Sequence, residues 1–379
     1  MDIRFHSSLD ALPAGDWDAL RPDDNPFLSH AFLAGLERHG CIDPRTGWRA
    51  HHLGIHESGR LLAAAPLYIK TDSHGEFVFD WSWARAYAAH GLDYYPKLLC
   101  GVPYSPVTGP RLLVGTGACA AGLRQRLGAA IHDEAIRLGL SSAHLNFADA
   151  DDAASLEDSG DWLARTDCQF HWHNRGWHDF DAFLAALSHK KRKNILRERA
   201  EVERAGIRCE IRHGDELDAT DWRALHAFYL ATFDEKGNYA ALTLEFFLHL
   251  AATMPRSVVA VLCRRQGSTI AGALMLRSAN VLYGRYWGAR EHVSGLHFEA
   301  CYYQGIEYCL RHGLARFEPG AGGEHKVARG FLPACTRSFH WIADARFRAA
   351  IASALREEAL ALDDYAGELR DHSPYAARA

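Results

Sequence analysis

The apolar positions of this chain fall into one arrangement that occurs twice. ESGRLLAAAPLYI around Gly59 and RQGSTIAGALMLR around Gly267 each read as a β-hairpin: an apolar strand, a polar turn with glycine, and a second strand of small apolar residues. Superimposing the two glycines aligns Leu62 with Ile270, Ala63 with Ala271, Ala64 with Gly272 and Ala65 with Ala273. Further on, each half has an amphipathic helix that stops at a glycine and leads into a strand. AAIHDEAIRLGLSSAHLNF stops at Gly139 and FEACYYQGIEYCLRHGLARFEPG stops at Gly313. IRLGL at 136–140 matches LRHGL at 310–314. Two matches in the same order point to duplication.

The second half has a long strand, VLYGRYWGA at 281–289, whose alternation puts Tyr283, Arg285 and Trp287 on one face. The first half carries an aromatic, proline- and glycine-rich insertion at 81–113, either functional or a lid or brace. The acidic stretch 149–161 reads as an exposed connection. QFHWHNRGW then opens the second half as a strand. Residues 180–206 read as helix, with Leu184, Leu187, Ile195 and Val202 at near-helical spacing and Gly206 closing the run. Two more amphipathic helices, 219–233 and 243–254, come next. The expected domains are 1–160, 161–345 and a helical tail, 346–379.

Composition narrows the function classes. With 379 residues the chain is long enough for two cores, and 48% hydrophobic with 23% charged residues is ordinary globular usage. A formal charge of -5 predicts no bulk attraction to nucleic acid, so a polyanion site must be a local patch. The nine cysteines contain no C-x-x-C pair and sit mostly in apolar runs, as buried thiols do. The N-terminus has neither the basic nor the apolar part of a signal peptide, and no apolar stretch approaches the roughly 20 residues that span a bilayer. A cytoplasmic protein is expected. No G-x-S-x-G, P-loop or G-x-G-x-x-G supports a hydrolase, NTPase or Rossmann reading.

Three clusters carry candidate chemistry. Six of the ten residues from Lys190 to Arg199 are basic. They come just after Ser188, a good helix N-cap, where cations are unfavourable unless an anion is close; Lys190 and Arg192 are therefore candidate phosphate ligands. The alternative is a solvated helix face. The second cluster is Arg285, Trp287, His297, Glu299, Tyr302 and Tyr303. Glu299 could accept an amine's proton and Tyr302 or Tyr303 could protonate a leaving group; otherwise Glu299 complements the helix dipole and the tyrosines pack. The third is FEPGAGGEHKVARGF at 317–331, which crowds Glu318, Glu324, His325, Lys326 and Arg329 around three glycines. Lys326 and Arg329 could hold phosphate or an oxyanion, and Glu318 is the alternative base. No spacing fits a metal site, and none is expected.

The order hairpin, long strand, helix, strand is that of the GNAT acyltransferase fold. Leu187-Ser188, Lys190, Arg192, Asn194-Ile195, Arg197 and Ala205-Gly206-Ile207 resemble the signature of Fem-type aminoacyltransferases, which are tandem GNAT-like proteins. YYPKL, VPYSPVTGPR, QFHWHN, KKRKNI, YGRYWG, HFEACYYQGIEY, FEPGAGGEHKVARGF and SFHW are similar to the FemAB-like, peptidoglycan biosynthesis or recognition family of bacteria, from about residue 30 to 345. The resemblance implies an α/β (mixed α+β) fold of tandem GNAT-like domains, each a central mixed sheet flanked by helices. It also implies an N-acyl or aminoacyl transferase acting on an amine of an anionic, cell-wall-precursor-like acceptor. The donor would be acyl-CoA or aminoacyl-tRNA, with no tightly bound cofactor. The usual CoA pyrophosphate loop is absent, AREHVSGL standing in its place, and no coiled-coil arm interrupts the second half. The rival expectation is a non-catalytic binder of a peptidoglycan precursor or nucleotide sugar.

Overall fold

The computed structural model describes residues 1–376, and the chain divides into two compact units. The first comprises residues 1–167 and 335–364; the second comprises 168–334 and the segment from Tyr365.

The first unit contains β1 (Asp2–His6), α1 (Ala14–Asp18), α2 (His30–Arg38), β2 (Trp48–Ala50), β3 (His52–Glu57), β4 (Arg60–Ala65), β5 (Leu67–Lys70), α3 (Trp81–Ala89), β6 (Lys97–Cys100), α4 (Ala120–Arg137), β7 (Ser142–Ala148) and α5 (Ala150–Ser159). The second contains α6 (Phe180–Ala186), α7 (His189–Arg204), β9 (Ile207–His213), α8 (Ala219–Glu235), α9 (Leu244–Thr253), β10 (Val258–Arg265), β11 (Ser268–Arg277), β12 (Val281–Ala289), α10 (Leu296–Phe298), a π-turn (Glu299–Tyr303), α11 (Gln304–His312) and β13 (Arg316–Glu318). The chain enters the second unit along β8 (Leu163–His173) and leaves it along β14 (Leu332–Ile342), before the long α12 (Ala345–Asp371). Residues 335–345, placed by sequence in the second domain, thus belong to the first unit, because β14 pairs with β7 there. The helical tail is α12; the last three residues, 377–379, lie outside the described residues.

The strand order is β1-β3-β4 and β2-β5-β6-β7-β14 in the first unit, and β8-β13-β12-β11-β10-β9 in the second. The two matched hairpins are β3-β4 and β10-β11. Their turns are alike: Ser58 and Gly59 have φ of 49° and 82°, and Gln266 and Gly267 have 50° and 79°. Positive φ at both central residues is the type I′ turn, whose twist suits a two-residue hairpin. Each hairpin also slips register at the same place relative to its turn, between Ile55 and His56 and between Cys263 and Arg264. In each unit a strand then runs parallel to the strand beyond the main helix: β6 with β7, and β12 with β13. The sheet faces are sealed by apolar clusters. One gathers Leu53, Ala63, Leu127 and Leu145; the other gathers Leu184, Leu187, Ile195, Val202, Tyr303 and Phe317.

Three local expectations change. The acidic stretch 149–161 is helical as α5: Asp149 caps it by accepting from the Asp152 amide, Asp151 and Asp152 favour its first turn, and Gly160 ends it in the left-handed region. The single helix at 180–206 is two, because Leu187 is extended and buried and bridges Tyr375, while the Ser188 amide donates to the Pro374 carbonyl. In β12, Leu274 faces Tyr286 but Met275 faces Gly284, so Arg285 sits in a β-bulge. The extra residue reverses the alternation. Tyr283 and Tyr286 share one face, and Trp287 turns to the other, so Tyr283, Arg285 and Trp287 do not line one face.

Candidate active site

The site is built where β12 and β13 part. They pair in parallel over only three positions, Val281 with Arg316, Leu282 with Phe317 and Tyr283 with Glu318. Beyond Tyr283 no further pairing joins them, while β12 continues to Ala289 along its other neighbour, β11. Glycine permits close approach on both sides. A Cβ on Gly284 would stand 3.1 Å from the Pro319 Cα, and one on Gly288 would stand 2.2 Å from the Phe228 carbonyl oxygen of α8. Over this opening lie the π-turn and the loop from Pro319 to Phe331.

The π-turn fans its side chains apart. The Gln304 amide donates to the Glu299 carbonyl, five residues back, and the inserted residue shifts the angle at which later side chains leave the helix. Glu299 is buried, and its carboxylate accepts from Arg199 Nε and Nη2 at 3.1 Å each and from Gln304 Nε2 at 2.7 Å. Arg199 also donates to Glu307 at 2.6 Å. Tyr303 donates to Glu198, and its hydroxyl accepts from Arg329 Nε at 3.0 Å. Arg329 further donates to Glu198 Oε1 at 2.7 Å and to the His325 carbonyl at 2.8 Å, with its guanidinium 3.4 Å above the Phe298 ring. Tyr302 points elsewhere: its hydroxyl lies 2.9 Å from His325 Nε2. Burial raises the pKa of both tyrosines.

Lys326 is the outstanding cation. It is 3% exposed, and its ammonium donates to the Gly320 carbonyl at 2.7 Å and the Ala321 carbonyl at 3.3 Å. Among the described residues no carboxylate pairs with it, and burial lowers its pKa to about 8. His297 stands against Trp287 and Tyr302, with ring centroids 5.5 and 5.4 Å away, and 6.2 Å from His325. Its pKa falls to about 4, first through burial and then through the charges of His325, Arg329, Lys326 and Lys236. Burial, Arg329 and Lys326 lower that of His325 as well. Two neutral imidazoles stand beside the Lys326 ammonium, and with Arg329 paired to Glu198 it is the Lys326 charge that favours an anion here.

The structure thus brings together Trp287, His297, Glu299, Tyr302, Tyr303, His325, Lys326 and Arg329. It places the other candidates apart in role. Glu318 is buried and ion-paired with Arg316 at 2.8 Å; Glu324 accepts from Tyr365 at 2.8 Å. Arg285 lies in the bulge over the Tyr286 ring. Lys190 is exposed and Arg192 half-buried on the first turn of α7, and neither side chain forms a hydrogen bond or ion pair with the described residues. Ser188 occupies the N-cap position, but its side chain does not cap. The residues of α7 that reach the site are Glu198 and Arg199, two turns later. Sequence reasoning passed over both, because their partners lie about a hundred positions away. Among the described residues no three His, Cys, Asp or Glu side chains are arranged to hold a metal ion, and no helix is long and apolar enough to cross a membrane.

Comparisons with known proteins agree with this topology. Similar solved structures include FemX, at 11% identity and a TM-score of 0.53, covering 93% of this chain and all of that one. A conserved protein of unknown function from Bacteroides thetaiotaomicron matches at 9% identity and a TM-score of 0.52, over 90% of this chain and 100% of that one. A tandem GNAT protein from the clavulanic acid biosynthesis pathway matches at 13% identity and a TM-score of 0.48, over 90% and 98%. No curated protein matches the sequence. The fold is mixed α/β and is similar to that of FemX. The family model for FemAB-like proteins of peptidoglycan biosynthesis/recognition matches residues 8–377, and the chain belongs to that family.

Proposed function

We propose that the second unit transfers an acyl or aminoacyl group to an amine on an anionic acceptor of the peptidoglycan-precursor kind. The observation that carries this reading is the buried ammonium of Lys326. It is held beside the β12–β13 opening by two carbonyls, with no carboxylate partner among the described residues. A buried cation without a counter-ion is costly, and a ligand that brings the negative charge removes the cost. The open edge of β12 offers backbone groups to an extended donor, acyl-CoA or aminoacyl-tRNA. Attack by a neutral amine on an ester or thioester needs no covalent enzyme intermediate. Lys326 and Arg329 steady the anion or the developing oxyanion. Of the two tyrosines, Tyr302 is the one available to the reaction, since Tyr303 is engaged by Glu198 and Arg329.

One observation favours a second reading, a non-catalytic precursor binder: both candidate bases, Glu299 and Glu318, are paired with arginines. The test is to incubate the full chain with acyl-CoA or aminoacyl-tRNA and a nucleotide-linked peptidoglycan precursor, and to read product mass. Transfer that Lys326→Met abolishes supports the enzyme. Precursor binding with no transfer from either donor supports the binder.

A further inference from the structure

The pairing of Glu299 and Glu318 leaves the proton of the attacking amine without an obvious acceptor, and the geometry supplies another. We propose that Tyr302 and His325 form the proton-transfer pair of this site, with Tyr302 touching the acceptor amine and His325 acting through it as a positioning residue. The inference rests on the transfer reading above.

Tyr302 Oη and His325 Nε2 lie 2.9 Å apart. His325 is exposed on the loop and Tyr302 is buried on the π-turn, so the pair runs from the surface inward. The groups facing the imidazole are His297, Phe298, Tyr302, Lys326 and Arg329. None is a carboxylate, and the neighbouring Glu324 is turned to Tyr365. In such surroundings the ring stays neutral, and the nitrogen facing Tyr302 is free to accept. Gly323 makes room for it. A Cβ there would come within 2.6 Å of the His325 ring, at a φ of 93° that side chains rarely adopt.

The step balances without a co-reactant. The amine nitrogen bonds to the acyl carbon of the ester or thioester. Its proton passes to Tyr302 Oη while the tyrosine proton passes to His325 Nε2. The carbon–oxygen or carbon–sulfur bond to the donor then breaks with its electron pair. The proton on His325 returns through Tyr302 to the leaving oxygen or sulfur.

The first test reads the imidazole itself. In full-length protein with ¹⁵N-labelled histidine, His325 should have Nδ1 protonated and Nε2 bare at pH 7, with a titration midpoint below 6.5 that moves in Tyr302→Phe. A protonated Nε2, a charged ring at pH 7, or a spectrum indifferent to Tyr302→Phe overturns the pair. The second test uses aminoacyl-tRNA or acyl-CoA with the nucleotide-linked precursor. His325→Gln should lower the rate about 100-fold or more and remove the acid limb of the pH profile. Pyrophosphate should bind as in the wild type. An unchanged pH profile also overturns it. A wild-type chain that uses neither donor refutes the transfer reading instead, while pyrophosphate binding and the imidazole spectrum still report on the pocket and the pair separately.

Discussion

Replacing Lys326 with methionine separates a functional cation from a structural one. Methionine keeps the unbranched stem and loses the charge. The wild-type ammonium is buried against carbonyls, and its pKa falls from 10.5 to about 8. At 1.36 kcal/mol for each pH unit, that fall represents roughly 3 kcal/mol of destabilisation in the folded state. Against this, the substitution leaves the Gly320 and Ala321 carbonyls without their donor, which costs about 1–3 kcal/mol for a buried group and less where water replaces it. Ala321 is exposed, so its carbonyl is open to water. The two terms nearly cancel, and Lys326→Met should fold with unchanged or slightly higher stability.

The sign with pH is fixed. Below about pH 8 both folded and unfolded chains hold the proton, and the folded state bears the full desolvation penalty. Between about 8 and 10.5 the unfolded chain still binds the proton and the folded chain does not, so wild-type stability rises with pH and the advantage of the variant closes. Ligand binding behaves oppositely. Pyrophosphate, as an anion probe, should bind the variant at least tenfold more weakly, about 1.4 kcal/mol. Its affinity for the wild type should fall as pH rises through the lysine pKa. Urea denaturation at pH 7 and 10 with calorimetric titration of pyrophosphate reads all three quantities. A variant destabilised by several kcal/mol that still binds pyrophosphate normally would show Lys326 to be a brace, and the proposed pocket would lose its main support.

Glu198→Leu removes the partner of a largely buried arginine and should cost about 3–5 kcal/mol in chemical denaturation, since Arg329 is left uncompensated; a cost under about 1 kcal/mol would mean the arginine finds another partner. Gly288→Ala forces a Cβ against the Phe228 carbonyl and should cost about 1–3 kcal/mol, whereas Gly122→Ala, in α4 with open space around it, should gain about 0.5–1 kcal/mol. Equal effects from the two glycines would contradict the close crossing of α8 over β12. In the first unit, Lys97→Met strands the buried Asp80 and Glu76 carboxylates and should cost about 3–5 kcal/mol by the same measurement. Burial holds the Glu76 pKa up at about 7, so its contribution to stability should decline as pH rises from 4.5 towards 7.

The hairpins were legible because everything that specifies them is local: a glycine-containing turn, a polar flank and alternating small apolar residues. The loop at 317–331 stood out for a similar reason, since four glycines and five ionisable groups in so short a stretch exceed what a connector needs. The features beyond reach were non-local or one residue wide. Arg199 finds Glu299 and Glu198 finds Arg329 across a hundred positions or more, and neither pairing leaves a mark on spacing. The bulge at Arg285 adds one residue to an otherwise regular alternation, and only the register against β11 reveals which face Trp287 takes. The acidic run at 149–161 has the composition of a linker, yet Asp149 is placed as a cap and Gly160 as a stop, and those two positions outweigh composition.

Two units of similar topology need not share one chemistry. Both copies keep the type I′ hairpin, the register slip and a parallel strand pair that lasts three positions. They differ in the path of the chain beyond the last paired residue. In the first unit the segment after Cys100 folds back along β7: the Gly109 amide donates to the Phe147 carbonyl at 3.1 Å, and Gly109 bridges Ala148. Arg111, fully buried, pins this segment by donating to the carbonyls of Asn146, Gly109 and Val107, on strand and loop together. Each of those carbonyls would otherwise need a partner, so the arginine makes the closed arrangement self-sufficient. In the second unit the corresponding opening meets a glycine loop whose own cation, Lys326, has no carboxylate partner among the described residues. Arg111 uses its donors to close the first opening against its own strand, whereas Lys326 holds only its own loop and leaves the β12–β13 opening unpaired beyond Tyr283, and the proposed transfer is assigned to the second unit on that difference.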